Sequence, residues 1–385
     1  MQTVVTADVL LSPGQHIEKP IVVIEDGRIA DITSQTNKPI PTGEHLDFSG
    51  SALVPAYFDV HIHGSGGYDV MDATETSLSS IGKFLVKHGV GAYLATTVTA
   101  PIESTLKSLE GIAKLMSNDL GGARPLGIHI EGPFLSPHKK GAHPANLLLT
   151  PTIELFDQMW QAAEGKIRLM TIAPELPNAE EVIAHAVKLG VRVSMGHSDA
   201  NAEAAKRGLY AGATTATHTF NAMRRFDHRD PGLLGEILAN DALFAELICD
   251  GLHVHPAAVE VFWKAKGPER AILITDAMSA TGMPDGNYKL GELDVRVKDG
   301  KCIIGEDTLA GSTLTLDRAV RNFAEFTGAD LGAVTALASR NPARMAGFDK
   351  EIGALEPGRS ADITVLSDKK EVVETILRGQ RASRF

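Results

Sequence analysis

The chain has 385 residues, of which 43% are hydrophobic and 22% charged, as is usual for a globular protein. Its formal net charge of −11 argues against nucleic acid or an anionic membrane surface as a partner. There is no apolar run near the ~20 residues of a membrane span and no signal peptide in residues 1–13. Cys249 and Cys302 lack CxxC spacing, so we expect buried free thiols in a cytoplasmic protein.

Both ends of the chain contain short alternating strands separated by Gly, Pro and Asp turns, and Asp26-Gly27 marks a hairpin. The predicted strands are Val4–Leu11, Ile21–Glu25, Arg28–Ile32 and His45–Phe48 at the start, and Asp362–Leu366 and Val372–Leu377 at the end. We therefore predict one small β-sandwich domain, formed by residues 1–53 and 347–385.

Residues 54–346 alternate between apolar, β-branched runs and helical patterns such as Ser77–His88, Glu180–Leu189 and Ala200–Leu209. The predicted strands are Ala56–His61, Gly91–Val98, Pro125–Glu131, Ile167–Ala173, Val191–His197, Thr214–His218, Phe244–Asp250 and Ala271–Asp276. Eight parallel strands close a barrel, so we predict a (β/α)8 TIM-type barrel rather than an open doubly wound sheet. Residues Asn287–Ile304 predict an extra β hairpin after the eighth strand.

Metal-binding residue types fall at the carboxyl ends of five predicted strands, which meet on one face of a barrel. They are His61, His63, Glu131, His197, His218 and Asp276. Imidazoles with carboxylates suit Zn, Fe, Mn or Co, and a shared Glu131 would allow one or two divalent ions. The pattern predicts a metal site on this face.

Each of these residues has a structural alternative when it is taken alone. Glu131 or His197 would more often be a satisfied polar residue near a turn, and Asp276 would serve as a helix cap. The glycine-rich residues Gly64–Gly67 lack the Walker lysine, and the chain contains no GxSxG motif for a serine nucleophile. Only the joint pattern of strand ends favours the metal site.

Longer motifs resemble a known family. His61–His63 after Pro55 and Asp59, together with Glu356–Asp362, resembles the amidohydrolase superfamily. More specific strings resemble the N-acetylglucosamine-6-phosphate deacetylase family within it: His129–Phe134, Lys139–His143, Gly196–Ser198, Thr217–Met223, Asp250–His253 and Leu309–Ser312. These matches run in order over nearly the whole chain.

The resemblance implies a reaction, namely metal-dependent amide hydrolysis that deacetylates N-acetylglucosamine 6-phosphate in amino-sugar catabolism. It implies that Glu131, His197 and His218 hold a principal metal and that His61 and His63 hold a second. It further implies Asp276 and His143 as catalytic residues and a homodimeric assembly. The implied substrate contacts are Ala142, His143, Asn221, Ala222, Arg229, His253, Leu309, Ala310 and Gly311.

Three other functions remain open from the sequence. One is deacetylation of the galactosamine 6-phosphate epimer, a second is another amidohydrolase reaction such as cyclic-amide hydrolysis, and a remote third is non-catalytic sugar-phosphate binding. Arg224, Arg225, His228 and Arg229 form a basic stretch that favours a phosphorylated substrate, although such a stretch also occurs as a solvated loop.

Overall fold

A computed structural model describes residues 2–382 of the chain. The centre of the structure is a sheet of parallel strands that are hydrogen-bonded to one another in chain order. Residues 2–382 contribute eight strands to this sheet. This confirms the predicted barrel. The strands are Tyr57–Ile62, Val90–Thr97, Arg124–Glu131, Ile167–Ile172, Arg192–Met195, Thr215–Ala216, Phe244–Ile248 and Ala271–Ile274.

The barrel closes where its first and eighth strands meet. The backbone N–H of Asp276 donates to the carbonyl of His61 over 2.9 Å, and that of His63 donates to Ala277 over 2.8 Å. Ile62 and Ala277 form a parallel bridge between these bonds. We call this junction the seam. It consists of predicted site residues and their neighbours, so barrel closure positions them directly.

Helices follow the strands as amphipathic segments that cover the barrel. The first begins at a capping box, in which the Thr74 hydroxyl accepts from the Ser77 N–H and the Ser77 hydroxyl accepts from the Thr74 N–H. The three helices predicted above are present with ends shifted by one or two residues. The helices are Glu75–Val86, Ile102–Leu115, Ile153–Ala162, Ala179–Lys188, Ala202–Ala211, Gly232–Ala239, Pro256–Arg270, Leu316–Thr327, Leu331–Ala338 and Arg340–Ala346. Short 3-10 turns span Val70–Asp72, Pro137–Lys139 and Ala145–Leu147.

Strands from both ends of the chain form a second sheet. Its strands are Thr3–Ser12, Gln15–Glu18, Pro20–Glu25, Arg28–Ser34, Glu44–Pro55, Ile363–Leu366, Val372–Leu377 and Gln380–Arg381. We expected a small sandwich, and these strands are joined into one continuous hydrogen-bonded sheet. Residue 1 and residues 383–385, which we assigned to the same domain, lie outside the described residues.

One strand of this sheet is longer than its sequence pattern predicts. The expected strand His45–Phe48 continues to Pro55, through a segment whose Ser-Gly-Ser sequence reads as a turn. Gly50 adopts a left-handed backbone with φ of 81°, and the pairing with the first strand shifts register nearby. A bulge therefore lets the strand continue where a break was expected. Beyond it, Leu53 packs in the core of the terminal sheet, whereas Val54 packs in the barrel core.

The segment after the eighth barrel strand contains more strands than its sequence predicts. In place of a single hairpin over Asn287–Ile304, it forms an antiparallel sheet of strands Gly286–Leu290, Leu293–Lys298, Lys301–Ile304 and Thr308–Leu309. A small two-stranded ribbon, Gly64–Ser65 with Tyr68–Asp69, follows the first barrel strand. The antiparallel sheet packs on Val98 and Met278 at the carboxyl face of the barrel, and so becomes a wall of the site.

The remaining predictions concern thiols and membranes. Cys249 and Cys302 are buried free thiols, as expected. Burial raises the pKa of Cys302 to about 12, so this thiol stays protonated and unreactive near neutral pH. Across residues 2–382, no helix is long and apolar enough to span a membrane.

Candidate active site

The residues predicted to bind metal converge at the carboxyl end of the barrel. His61 lies on the first strand and Glu131 is the last residue of the third, while the others lie in the turns just beyond their strands. All are 8% exposed or less. The group comprises His61, His63, Glu131, His197, His218 and Asp276.

The Glu131 carboxylate lies at the centre of this group. Its Oε1 is 3.2 Å from Nε2 of His197 and 3.2 Å from Nε2 of His218. Its Oε2 is 3.2 Å from Nε2 of His63. One carboxylate thus faces imidazoles from three different strand ends, which is the arrangement that a shared metal ligand requires.

Asp276 faces two imidazoles across the seam, those of His63 and His61. Its Oδ1 is 3.2 Å from Nε2 of His63 and 3.5 Å from Nε2 of His61. Burial alone would raise the pKa of Asp276, but His61 and His63 hold it lower, at about 2. The group is therefore an ionised carboxylate at neutral pH and is able to accept a proton.

The donor set fits a divalent metal. Two groups have their ligand atoms within 4.8 Å of one another: His61, His63 and Asp276, and Glu131, His143 and His197. Nε2 of His61 is buried and has no hydrogen-bond partner among residues 2–382. Burial lowers the pKa of His197 to about 4, so its ring is neutral at pH 7 and has a lone pair to offer.

Three of these residues have a left-handed backbone that non-glycine residues seldom adopt. The φ angles are 46° at His197, 27° at His218 and 51° at Asp276. Backbone hydrogen bonds hold each one, for example from Ser136 to the His197 carbonyl and from Ser312 to the Asp276 carbonyl. Strain of this kind concentrates at functional sites because surrounding contacts must maintain it.

His143 lies beside the metal-facing cluster and is oriented by Thr99. Its Nδ1 is 2.8 Å from the Thr99 hydroxyl and accepts from the Thr99 backbone N–H over 3.4 Å. A backbone N–H can only donate, so the neutral ring carries its proton on Nε2. That atom is 3.5 Å from Glu131 Oε2. His143 therefore presents a donor on the side where the ligand atoms converge.

A cavity of about 320 Å³ opens over these residues, within the size range of small-molecule sites. Most of the predicted substrate contacts line it: Ala142, His143, Asn221, Ala222, His253, Leu309 and Gly311. Ala310 is buried between two of them. Leu290 and Thr308 of the antiparallel sheet, and Asp307 in the turn before its last strand, also line the cavity.

Arg229 is a predicted substrate contact that lies outside the cavity. It is exposed, in a loop beyond the sixth strand, and does not line the cavity. Its neighbour Arg224 pairs with Asp230 over 2.9 Å, and His228 is exposed. The basic stretch is thus a surface loop in a single copy of the chain.

His253 is the cavity residue whose surroundings favour the protonated, positively charged form of the ring. Its Nδ1 is 2.7 Å from Asp250 Oδ2, and both side chains are largely buried. Burial lowers the pKa of His253, but the hydrogen bond and charge of Asp250 outweigh it and raise the pKa above its usual value. An imidazolium that faces a cavity is suited to an anionic group on a ligand.

Two residues at the site escaped the sequence analysis. Thr99 gave no signal, because a threonine after an apolar strand is unremarkable. Glu246 did give one: it is the single charged residue in the strand Phe244–Ile248 and is fully buried. An acidic residue inside a buried barrel strand needs a partner, and the partners of Glu246 are two of the predicted ligands, His61 and His218.

The fold and the site together define a metal-dependent hydrolase of the amidohydrolase type. The family model described as "Amidohydrolase family" matches residues 52–382, so the chain belongs to the amidohydrolase family. Within that family it groups with the N-acetylglucosamine-6-phosphate deacetylases, as its relatives indicate.

Three relatives support this grouping over nearly the full length. An N-acetylgalactosamine-6-phosphate deacetylase of Escherichia coli O157:H7 is 39% identical, over 92% of this chain and 94% of the relative. An N-acetylglucosamine-6-phosphate deacetylase of Bacillus subtilis (strain 168) is 36% identical, over 97% of this chain and 95% of the relative. A mutant N-acetyl-D-glucosamine-6-phosphate deacetylase from Mycobacterium smegmatis, solved in complex with N-acetyl-D-glucosamine-6-phosphate, is 33% identical, with a TM-score of 0.94 and 99% of each chain covered.

Proposed function

We propose that this enzyme hydrolyses the acetamide of N-acetyl-D-glucosamine 6-phosphate, giving D-glucosamine 6-phosphate and acetate in amino-sugar catabolism. The observation that carries the proposal is the cavity, in which an ionised Asp276 and the metal-facing imidazoles meet the donor of His143. The relatives named above act on substrates of this class.

Within this proposal, Glu131, His197 and His218 would hold the principal metal ion. His61 and His63 would hold a second ion, and Glu131 would be available to both. A bound divalent ion supplies an acidified water and a polarised amide carbonyl. Imidazole and carboxylate ligands suit Zn, Fe, Mn or Co, and one or two ions are compatible with this donor set.

The proton transfers fall to the residues of the chain. Asp276 takes a proton from the attacking water, because its carboxylate is ionised and faces the cavity. It then returns this proton to the amine as the carbon–nitrogen bond breaks. His143 donates from Nε2 to the oxyanion that forms from the amide carbonyl, since Thr99 fixes its proton on that atom. Acetate and the free amine result.

Recognition of the sugar phosphate uses the other residues that line or adjoin the cavity. We assign Ala142, Asn221 and Ala222 to the sugar and its acetamide, and the backbone of Leu309, Ala310 and Gly311 to the adjoining wall. His253 supplies charge for the phosphate. Arg229 is the second phosphate contact, and it acts in the site of another copy of the chain, since it is exposed and outside its own cavity. The active form is then a homodimer.

We also propose a cytoplasmic location, because a phosphorylated sugar is charged and is retained inside the cell. The domain division follows the sequence pattern, with residues 1–53 and 347–385 as the small β domain and residues 54–346 as the barrel. The course of the long strand Glu44–Pro55 supports the first boundary, since its last residues turn from one core to the other.

A second candidate substrate is N-acetylgalactosamine 6-phosphate, which differs in the configuration of one hydroxyl. The relative from Escherichia coli O157:H7 carries that activity in its name. Comparison of kcat/KM on the two epimers separates the candidates, and we expect the glucosamine form to give the larger value.

The direct test of the function is acetate release from N-acetylglucosamine 6-phosphate, measured before and after dialysis against a chelator. We expect activity that is lost with the metal and regained when Zn²⁺, Mn²⁺, Co²⁺ or Fe²⁺ is added back. Binding of the sugar phosphate without acetate release under any of these ions would instead identify a non-catalytic binding protein.

A further inference from the structure

Glu246 lies in the interior of the barrel, below the metal-facing cluster. It is in the middle of the seventh strand and has no exposed surface. Its Oε2 is 3.1 Å from Nδ1 of His61 and 3.3 Å from the backbone nitrogen of His218. A buried carboxylate is costly unless it is paired, and these two contacts pair its Oε2, while its Oε1 has no hydrogen-bond partner among residues 2–382.

The contacts of Glu246 fix which nitrogen of His61 carries the proton. The backbone N–H of His218 can only donate, so Glu246 Oε2 acts as an acceptor there. His61 therefore donates to the same oxygen from Nδ1, which leaves the lone pair on Nε2. This Nε2 is 3.5 Å from an oxygen of Glu131 and 3.5 Å from an oxygen of Asp276.

The second contact of Glu246 holds the main chain at His218. The sixth strand ends at Ala216, and His218 then takes its left-handed backbone. The Glu246 side chain accepts from the His218 N–H, and its backbone carbonyl accepts from the Thr219 N–H over 2.8 Å. Two successive N–H groups of this strained turn are therefore anchored to one residue of the neighbouring strand.

We infer that Glu246 is a positioning residue that prepares both candidate metal positions at once. It acts on one through the ring of His61 and on the other through the main chain of His218. The inference rests on the proposed function, since it takes these histidines as ligands. Carboxylates that hold the far nitrogen of a metal-binding histidine fix its orientation and raise its basicity, and their loss typically lowers metal affinity about 10–100-fold.

The test compares Zn²⁺ binding by the apoprotein of several full-length variants, titrated in competition with a chromogenic chelator. Glu246→Gln retains an acceptor but removes the charge, and Glu246→Leu removes both contacts. We expect Zn²⁺ affinity to fall about 10-fold in the first and about 100-fold in the second. Thermal unfolding of each apoprotein shows whether it is folded, and Glu246→Gln keeps the test decisive if the leucine variant is not.

Thr215→Val is the matched control. Thr215 lies on the sixth strand beside Phe244, is fully buried, and its hydroxyl has no hydrogen-bond partner within residues 2–382. This substitution perturbs the strand next to that of Glu246, at a buried residue that is not a candidate ligand. We expect its Zn²⁺ affinity to match that of the wild type.

A double-variant cycle tests the route through His61. If Glu246 acts partly through the His61 ring, then Glu246→Gln should have a smaller effect in a His61→Ala background than in the wild type. If the losses of Zn²⁺ affinity in the two single variants simply multiply in the double variant, the route through His61 is overturned.

Wild-type affinity in both folded Glu246 variants would overturn the inference and leave the proposed function standing. A wild-type protein that binds no divalent ion and needs none for acetate release would overturn both.

Discussion

The metal-facing cluster and the basic loop of residues 224–230 differ in how they are held. Every predicted ligand in the cluster is 8% exposed or less, and the rings of His61, His143 and His197 each have a second contact on the far side. In the loop, Arg229 and His228 are exposed, and the charge of Arg224 is directed to Asp230. The strands of one chain organise the first region, whereas the second is a surface loop between the sixth strand and the helix Gly232–Ala239.

The difference separates two requirements of the proposed reaction. Amide hydrolysis needs atoms held in position before substrate arrives, because bond making and breaking tolerate little displacement. A phosphate is a large, multiply charged group, and an exposed arginine can form hydrogen bonds with it after the substrate has begun to bind. Substitutions in the cluster should therefore affect turnover, and substitutions in the loop should affect affinity for the phosphorylated substrate.

The largest expected effect comes from removing a ligand. His197→Ala should abolish binding of the principal ion and nearly all turnover, on the order of 10³-fold or more, because the metal contributes several kcal/mol to the transition state. Metal analysis of the purified variant, alongside acetate release, measures both. His185→Ala, a histidine that pairs with Asp157 on an outer helix, is the control. A fully metal-loaded His197→Ala protein would remove this residue from the ligand set.

Asp276→Asn should have the next largest effect. Asparagine retains the shape but cannot accept a proton, so kcat should fall about 10²–10⁴-fold. The KM should change little, since the substrate contacts remain. Steady-state kinetics on N-acetylglucosamine 6-phosphate measures both constants. Near-normal turnover would show that Asp276 acts only as a structural residue of the seam.

Arg229→Ala should raise the KM for the phosphorylated sugar about 10–100-fold, as expected for one charge-assisted contact of about 1.5–3 kcal/mol. The weak activity on unphosphorylated N-acetylglucosamine should not change, because that substrate never used the contact. The ratio of kcat/KM for the two sugars gives the answer. Equal losses on both would mean that Arg229 supports the fold.

A mixing experiment sharpens the same prediction. If Arg229 serves the site of a second copy, a hybrid dimer of one Arg229→Ala chain and one Asp276→Asn chain contains one intact site. In that site Asp276 comes from the Arg229→Ala chain and Arg229 comes from the Asp276→Asn chain. A component with the wild-type KM should then appear when the two variants are unfolded and refolded together, and it should be absent when each is refolded alone, because Arg229→Ala has a raised KM and Asp276→Asn a lowered kcat. Mixtures whose kinetics are only the sum of the two variants would place Arg229 in the site of its own chain.

The smallest effect should come from Asp250→Asn. Asp250 raises the pKa of His253, so His253 keeps its charge to higher pH and loses it as pH rises through that value. The variant leaves burial to lower the pKa, so the charge disappears at lower pH. Above pH 7 the KM for the phosphorylated sugar should rise by roughly fivefold, about 1 kcal/mol. KM measured against pH, with the unphosphorylated sugar as control, tests this. Identical profiles in wild type and variant would exclude His253 as the charged contact.

Much of the fold follows from the order of residues along the chain. Periodicity located the barrel strands, and the strand ends located the metal-facing residues, because parallel strands must end on one face. The resemblance of the motifs supplied most of the cavity wall, including His253 and Gly311. These features follow from local sequence patterns, which can be recognised before the tertiary contacts are known.

The remainder depends on contacts between distant residues. The strand through Gly50 reads as a turn until its partner strands are known. Glu246 stands 185 residues from His61 in sequence, so nothing local links them. Arg229 matched a motif, yet no local pattern says whether a loop faces its own cavity or another chain.

The seam has a consequence for how the protein is made. The bonds that close the barrel join His61 and His63 to Asp276 and Ala277. The earliest site residues in the chain therefore gain these partners only after residues 276 and 277 have been synthesised. More than two hundred residues separate them. A nascent chain that has folded its first seven strands holds His61 beside an open edge and still lacks Asp276. Truncated products that stop before the eighth strand lack Asp276 and should therefore be inert.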